Sequence, residues 1–311
     1  MSQDEIIPII QRRSESIIAN AHGKLKLVYS HVMHGFAATL SNEALNDVLN
    51  DDRVAEVEED GHVQVDAFRS LGLDRIINKD LHPYNGYNST FDNSGAGVTA
   101  YVIDTGILAS HKEFEGRATQ EFNSADSSNV DCHGHGTHVA GTIGAKTYGV
   151  ANKAKLVRVK VLSCGGGGSW SGVITGIDWV KANAKKPATA HISLVGGKSD
   201  AMNAAVKSLV NSGVTTVVAA GNHNGEVCQK SPASETSAIT VASTTSADTQ
   251  HSLPNWGNCI DVVFPGSDIK APWIGSNSAT RTMRATSTAP LCMWSSGIIF
   301  WPRLKTFPKC S

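Results

Sequence analysis

The fold of this 311-residue chain is decided by one apolar run, Val98-Thr99-Ala100-Tyr101-Val102-Ile103, which ends at Asp104. Such a run, rich in β-branched residues, indicates a strand that is buried on both faces. Similar runs downstream alternate with segments of helical periodicity. The predicted strands cover 156–162, 190–194, 214–220, 239–243 and 260–264, and the predicted helices cover 137–143, 171–182 and 201–212. This alternation predicts an α/β domain with a mostly parallel sheet covered by helices on both faces.

The first 66 residues differ from the rest in charge and pattern. They hold 12 acidic and 5 basic residues, a net charge of −7, whereas the remaining 245 hold 16 acidic and 22 basic residues, a net charge of +6. Opposite charges favour docking of one part on the other, although chance asymmetry also explains them. We predict a small α+β domain with strands over 26–29, 35–40 and 54–57 and a helix from the N-cap Ser41 to Leu49.

The overall composition excludes several classes of protein. Apolar residues make up 41% of the chain and charged residues 18%, which is typical of a folded globular protein rather than a disordered chain or a coiled coil. No apolar run approaches the ~18 residues that span a bilayer. The net charge of −1 offers no electrostatic basis for binding nucleic acid. We therefore expect neither a membrane nor a nucleic acid as partner.

Three segments carry residues suited to chemistry. Asp104 ends a buried strand, His135 lies in a Gly-rich segment at the start of a helix, and Asn222 follows another buried strand. Ligands of parallel sheets bind beyond the carboxyl ends of the strands, where these side chains would meet. Each segment also has a plainer interpretation: a turn-capping Asp, a zinc site around Cys132 that would need converging ligands, and a left-handed loop Asn.

The order of these residues, with Thr286-Ser287 after them, resembles the subtilases, and within them the proteinase K group. Two further motifs are similar to that group: His111-x-x-Phe114-x-Gly116-Arg117 and Ser231-Pro232-Ala233-Ser234. The resemblance extends from about residue 22 to residue 289. It implies a three-layer subtilisin-like fold over residues 67–290 and hydrolysis of peptide bonds by a serine endopeptidase.

The resemblance also implies the role of each catalytic residue. Ser287 would attack the scissile carbonyl, and His135 would take its proton and pass it to the leaving amine. Asp104 would orient the imidazole, and the amide of Asn222 with the backbone N–H of Ser287 would form the oxyanion hole.

Substrate would bind as an extended strand between two edges. The edges implied by the resemblance are Gly166, Gly167, Gly168 and Trp170 on one side and Ser193, Leu194, Val195 and Gly196 on the other. The family usually has Gly where Val195 stands, so we expect a narrower primary pocket. A phosphate-binding loop at 165–168 is rejected because no Lys-Ser or Lys-Thr follows it.

The same resemblance implies two disulfides and a metal site. The disulfides would join Cys132 to Cys164 and Cys228 to Cys259, although buried free thiols remain an alternative. A structural calcium would be held by Asp261 with the carbonyls of Thr236 and Ala238, although Asp261 is also compatible with a plain exposed acid. No cofactor is expected for catalysis.

Residues 22–65 resemble the propeptide of this family through His34-Gly35-Phe36-Ala37-Ala38 and Val57-Glu58-Glu59-Asp60. We therefore divide the chain into a propeptide domain (1–66), a peptidase domain (67–290) and an aberrant tail (291–311). The expected partners are protein or peptide substrates and the chain's own propeptide, acting within a monomer. The family implies an extracellular or vacuolar location, whereas the acidic start Met1-Ser2-Gln3-Asp4-Glu5 does not form a secretory signal.

The segment around the nucleophile departs from the family pattern. Arg284-Ala285-Thr286-Ser287-Thr288 stands where the family has Ser-Gly-Thr-Ser-Met, and an apolar stretch without helical periodicity follows. We hypothesise that a frame change near codons 284–291 replaced the expected helix. A catalytically inactive protein that only binds peptide or its own propeptide is thus the alternative function. A nucleotide-binding domain is rejected for want of a phosphate motif.

Overall fold

The computed structural model describes residues 3–65, 94–244, 254–266 and 269–283. Ser287, Arg284, the domain boundary at 66/67 and the tail 291–311 lie outside the described residues. No helix within the described part is long and apolar enough to cross a membrane.

The N-terminal unit packs two helices on a hairpin. Helix α1 (Gln3–Asn20) and helix α2 (Asn42–Leu49) cover the antiparallel strands β1 (Lys24–Tyr29) and β2 (Gly35–Thr39). The predicted cap of α2 is confirmed, because the side chain of Ser41 accepts a hydrogen bond from the Ala44 N–H. Helix α1 was not predicted, yet Ile10, Ile17 and Ile18 bury one face of it.

One predicted strand of this unit is wrong. Residues 54–60 form no strand, and β3 (His62–Val65) lies further along the chain. The side chain of Val57 is 37% exposed, so the alternating pattern at 54–57 has no sheet edge to face. Strand β3 instead pairs with two strands of the second unit, as described below.

The second unit is a three-layer α/β domain, as expected. Seven parallel strands form its sheet in the spatial order β13-β12-β10-β8-β4-β6-β5. Their bounds are β4 (Thr99–Asp104), β5 (Ala118–Asn123), β6 (Lys155–Lys160), β8 (Ala188–Ile192), β10 (Thr215–Ala219), β12 (Ile239–Thr244) and β13 (Val262–Pro265).

Helices cover both faces of this sheet. Helix α3 (His135–Gly144) packs on one face with the side chains of Ala100 and Val102. Helices α4 (Trp170–Asn183) and α5 (Asp200–Asn211) pack on the other face with Tyr101 and Ile103. Successive residues of β4 thus serve opposite layers, as the alternation of a strand requires.

Smaller strands and two disulfides complete the unit. The remaining strands are β7 (Gly167–Ser169), β9 (Leu194–Gly197), β11 (Lys230–Ser231), β14 (Ile269–Pro272) and β15 (Thr280–Met283). Cys132 is bonded to Cys164 and Cys228 to Cys259, with Cα–Cα distances of 5.0 and 5.5 Å. Loops of this length give about 3–4 kcal/mol of stabilisation per bridge in the chain-entropy account.

Candidate active site

An acid and an imidazole from distant parts of the sequence meet at the carboxyl end of the sheet. Asp104 ends β4, and His135 is the first residue of α3. The Nδ1 of His135 lies 2.7 Å from Oδ1 and 2.9 Å from Oδ2 of Asp104. Both side chains are fully or almost fully buried. A carboxylate in this position holds the ring in one orientation and stabilises its protonated form.

The carboxylate of Asp131 organises the turn that presents His135. Its Oδ1 accepts hydrogen bonds from the backbone N–H groups of His133 and Gly134, at 3.0 and 2.8 Å. Its Oδ2 accepts from the N–H and the hydroxyl of Thr137, at 3.0 and 2.5 Å. Asp131 therefore satisfies donors at the start of α3 that would otherwise lack a partner within the helix.

A second link ties this turn to the end of β4. The hydroxyl of Thr105 donates to Oδ1 of Asp131 at 3.0 Å and accepts from the N–H of Gly136 at 2.9 Å. The N–H of Thr105 itself donates to Oδ1 of Asp104 at 2.6 Å. The acid and the helix that carries the imidazole are thus held to each other by one side chain.

Two glycines make this close approach possible. Gly134 adopts φ 98°, a left-handed conformation, and a Cβ there would press on the ring of Trp273. A Cβ on Gly136 would collide with the backbone of Gly106. The Gly-rich sequence around His135 is therefore a consequence of packing α3 directly against the end of β4.

A buried cation lies behind the acid. Lys160, fully buried at the end of β6, donates from Nζ to the carbonyl oxygens of Thr105 (3.1 Å) and Leu162 (2.6 Å). Its Nζ also lies 3.2 Å from Oδ2 of Asp126. These partners satisfy the charge, so Lys160 fixes the backbone that follows Asp104.

Asn222 stands at the same end of the sheet, in a turn held by a second asparagine. Gly221 adopts φ 92° before it. The buried side chain of Asn255 donates from Nδ2 to the carbonyl of Ala220 at 2.7 Å. Its Oδ1 accepts from the N–H groups of His223 and Gly225, each at 3.0 Å. Asn255 thereby fixes the backbone on both sides of Asn222.

Strand β3 of the N-terminal unit occupies a groove between β7 and β9. It is antiparallel to both: Val63 pairs with Gly168 on one side, and Gln64 pairs with Val195 on the other. Val63 is 1% exposed. Of the sequence-predicted edges, Gly167 and Gly168 on one side and residues 194–196 on the other pair with an extended chain here, whereas Gly166 and Ser193 lie outside the paired register.

Trp170 forms one wall beside this groove. Its backbone N–H donates to the carbonyl of Gly61 at 3.0 Å. A Cβ on Gly61 or on Gly196 would lie 2.9 or 2.5 Å from its indole ring. The glycines thus leave the space that the indole fills.

Acidic residues of the N-terminal unit cap the two helices next to the groove. The carboxylate of Asp60 accepts from the N–H of Ser171 at 2.8 Å and also contacts its hydroxyl. Glu58 accepts from the N–H of Ala201 at 3.1 Å. Both contacts place negative charge at a helix N-terminus, where it is favourable.

Two protein-family models match the sequence of this chain. The family model described as "Subtilase family" matches residues 95–295, and the one described as "Peptidase inhibitor I9" matches residues 2–66. The chain belongs to the subtilase family.

Individual relatives agree with this membership. Alkaline serine exoprotease A of Vibrio alginolyticus is 48% identical over 279 residues, which are 86% of this chain and 51% of that protein. The extracellular serine proteinase of Thermus sp. (strain Rt41A) is 48% identical over 267 residues, 84% of this chain and 65% of that protein. The cuticle-degrading protease of Metarhizium anisopliae is 42% identical over 288 residues, 88% of this chain and 73% of that protein. This subtilase thus spans about half to three quarters of these relatives.

A solved structure agrees with the fold. The crystal structure of a cold adapted subtilisin-like serine proteinase matches with a TM-score of 0.66 and 47% identity, over 71% of this chain and 81% of that chain. The subtilisin-like fold predicted from the sequence is therefore confirmed.

The remaining histidines of the Gly-rich segment have structural surroundings. The Nε2 of His138 lies 3.0 and 3.2 Å from the carbonyl oxygens of Ile269 and Arg281. Burial lowers the pKa of His138 to about 4, so the ring is neutral near pH 7. Burial also lowers the pKa of His133, with the nearby His135 adding to the effect. Because the sulfur of Cys132 is bonded to Cys164, these side chains do not form the alternative zinc site.

Asp131, Lys160 and Asn255 are the supporting residues that sequence reasoning missed. Asp131 had one usable signal, since an Asp before a Gly-rich turn commonly accepts from the next backbone N–H groups. Asn255 and Lys160 had none, because the partners of Asn255 and two of the three partners of Lys160 are distant in the sequence.

Proposed function

We propose that this subtilase is the zymogen of a serine endopeptidase that hydrolyses peptide bonds through an acyl-enzyme intermediate. One observation carries the proposal: the buried Asp104–His135 pair lies at the carboxyl end of a sheet whose domain also holds an extended chain between β7 and β9. The relatives named as a serine exoprotease and as an extracellular serine proteinase align with 86% and 84% of this chain, which supports serine-protease activity.

The proposed reaction assigns one step to each residue. The Oγ of Ser287 forms a bond to the scissile carbonyl carbon while Nε2 of His135 takes its proton. The C–N bond then breaks, and the proton passes from His135 to the leaving amine. Water then adds to the acyl carbon while His135 takes its proton. The bond from this carbon to Oγ of Ser287 breaks, and the proton passes from His135 back to Oγ.

Asn222 would stabilise the charge that develops in this reaction. Its side-chain amide, with the backbone N–H of Ser287, would donate to the oxyanion of each tetrahedral intermediate. One lost donor of this kind costs about 3–4 kcal/mol of transition-state stabilisation. The three hydrogen bonds between Asn255 and the turn, one donated and two accepted by Asn255, support this role because they hold the backbone around Asn222.

The N-terminal domain would act as the intramolecular inhibitor. Strand β3 lies along the groove and would exclude a substrate from it. We propose that residues 1–66 form this domain, that residues 67–290 form the peptidase, and that the mature protein acts outside the cell on protein substrates. The I9 match over residues 2–66 supports the first boundary.

A structural calcium is proposed at the start of β12. The Oδ2 of Asp261 accepts from the N–H of Thr240 at 2.8 Å, which brings this exposed carboxylate beside the segment that contains Thr236 and Ala238. Carboxylate and carbonyl oxygens are the ligands that calcium prefers. Calcium should raise the unfolding temperature of the native chain over that in a chelator, and Asp261→Asn should remove this difference.

A fluorophosphonate probe tests the proposed activity. Labelling of Ser287, mapped by peptide mass spectrometry, and its loss in His135→Ala would support the endopeptidase. Absence of labelling with retained binding of peptides would favour the inactive binding protein instead.

A further inference from the structure

We infer that Val195 restricts this protease to substrates with a small side chain immediately before the cleaved bond. The inference rests on the proposed function and names the substrate class that the same site would accept.

The register of β3 against β9 shows the direction in which a bound chain runs. Strand β3 pairs Gln64 with Val195 and Val65 with Leu194, so each later residue of a bound chain lies one residue earlier along β9. The next substrate residue would come opposite Ser193, which directly follows β8. Strand β8 ends beside β10, which leads into the turn with Asn222. That substrate residue therefore reaches the end of the sheet where Asn222 stands.

The same register decides the face on which the side chain of this substrate residue lies. Directly opposed residues of an antiparallel pair place their side chains on the same face, and alternate residues of a strand share a face. The substrate residue opposite Ser193 thus shares the face of Val195. Such diagonal neighbours are within reach of a long side chain.

Little space remains beside Val195 on this face of the strand. Val195 is 3% exposed. Its methyl groups Cγ1 and Cγ2 lie 3.0 and 3.2 Å from the position that a Cβ on Gly221 would occupy. The isopropyl group therefore fills the gap between β9 and the turn that carries Asn222.

The consequence is a shallow pocket. A glycine at position 195 would leave an open slot between the two backbones, into which an aromatic ring could slide. With valine there, a large substrate side chain would have to displace a packed group, whereas Ala, Ser or Gly would not. The native chain should consequently prefer the small residue.

Two tetrapeptide p-nitroanilides that differ only in the last residue, Ala or Phe, test this inference. For the native chain, once it has cleaved off its N-terminal domain, kcat/KM should favour Ala by about 10²-fold. In Val195→Gly, kcat/KM for Phe should rise about tenfold or more while that for Ala changes much less.

Val157→Gly is the matched control, because it makes the same change at a buried strand position outside the groove. This control variant should change kcat/KM for both substrates by the same factor. Should Val195→Gly fail to fold, Val195→Ala gives the same comparison with a smaller gain.

A native preference for Phe, or an unchanged Ala-to-Phe ratio in the folded variant, would overturn the inference and leave the proposed function standing. Failure of the incubated chain both to cleave itself and to hydrolyse either substrate would overturn the proposed function and the inference together.

Discussion

The Nδ1 of His135 lies within 3 Å of both carboxylate oxygens of Asp104, although 31 residues separate the two in the chain. This contact depends on the end of one strand and the start of one helix. The end of the strand is fixed by hydrogen bonds that Thr105 donates, and the start of the helix by hydrogen bonds that the Asp131 carboxylate accepts. The geometry is therefore built into the backbone before any substrate arrives.

Replacement of the acid should remove most of the proposed activity. Asp104→Asn keeps the size of the side chain but no longer stabilises the protonated imidazole, so kcat should fall by about 10⁴-fold. KM should change little, because the groove is untouched. Steady-state hydrolysis of a peptide anilide checks this. The control Asp200→Asn should stay close to native, and a fall below tenfold in Asp104→Asn would contradict the role of Asp104.

Removal of the asparagine that holds the turn around Asn222 should act on kcat. Asn255→Ala loses the donor to Ala220 and the acceptor for His223 and Gly225, so Asn222 is no longer held in place. Misplacement by about 1 Å costs about 10²-fold in rate. We expect a fall of that size in kcat with KM nearly unchanged, measured beside the exposed control Asn211→Ala. An equal loss in both variants would show that Asn255 has no positioning role.

Asp178 should anchor the N-terminal domain. Its Oδ1 accepts from the N–H groups of His31 and Val32 at 2.7 and 2.6 Å, and its Oδ2 lies 3.0 Å from Nδ1 of His31. Hydrogen bonds to a charged group contribute about 1.5–3 kcal/mol each. Asp178→Ala should therefore speed hydrogen exchange at the His31 and Val32 amides by about tenfold or more.

Exchange followed by mass spectrometry on the full-length Ser287→Ala chain checks this without autolysis. Asp47→Ala, an exposed acid of the same domain, is the control. Unchanged exchange in Asp178→Ala would mean that the domain docks through other contacts.

Much of the peptidase fold could be predicted from the sequence, because its strands are buried on both faces. The six-residue run that ends at Asp104 is apolar and rich in β-branched residues, a pattern typical of a strand that is buried on both faces. The helix after Ser41 could also be predicted, because its N-cap residue and the spacing of its apolar residues indicate the same helix. These elements carry their own local signal.

The missed elements take their stability from distant partners. Helix α1 contains Pro8 and has no cap signal, so the burial of Ile17 and Ile18 against the hairpin accounts for its stability. Strand β3 is four residues long and exists because β7 and β9 offer two edges. Residues 54–57 alternate in the same way but pair with no strand edge. The periodicity of a sequence indicates which face of an element is apolar, but it does not indicate which other element that face will contact.

Acid should destabilise the fold through buried histidine. His191 is fully buried on β8, and burial lowers its pKa from 6.5 to about 4. Between these values the unfolded chain binds a proton at this residue that the folded chain does not, so stability falls as the pH drops from 6.5 to 4. The loss attributable to His191 is about 3 kcal/mol. His191→Gln does not titrate, so its unfolding free energy should depend less steeply on pH over this range.

Urea unfolding of the full-length Ser287→Ala chain at several pH values gives the slope for each variant. The slope, rather than the stability at one pH, is the decisive quantity, because His191→Gln also alters packing and the hydrogen bond with Thr189. His62→Gln, an exposed histidine, should leave the slope unchanged. An identical slope in His191→Gln and the parent chain would show that the buried ring takes up its proton without unfolding.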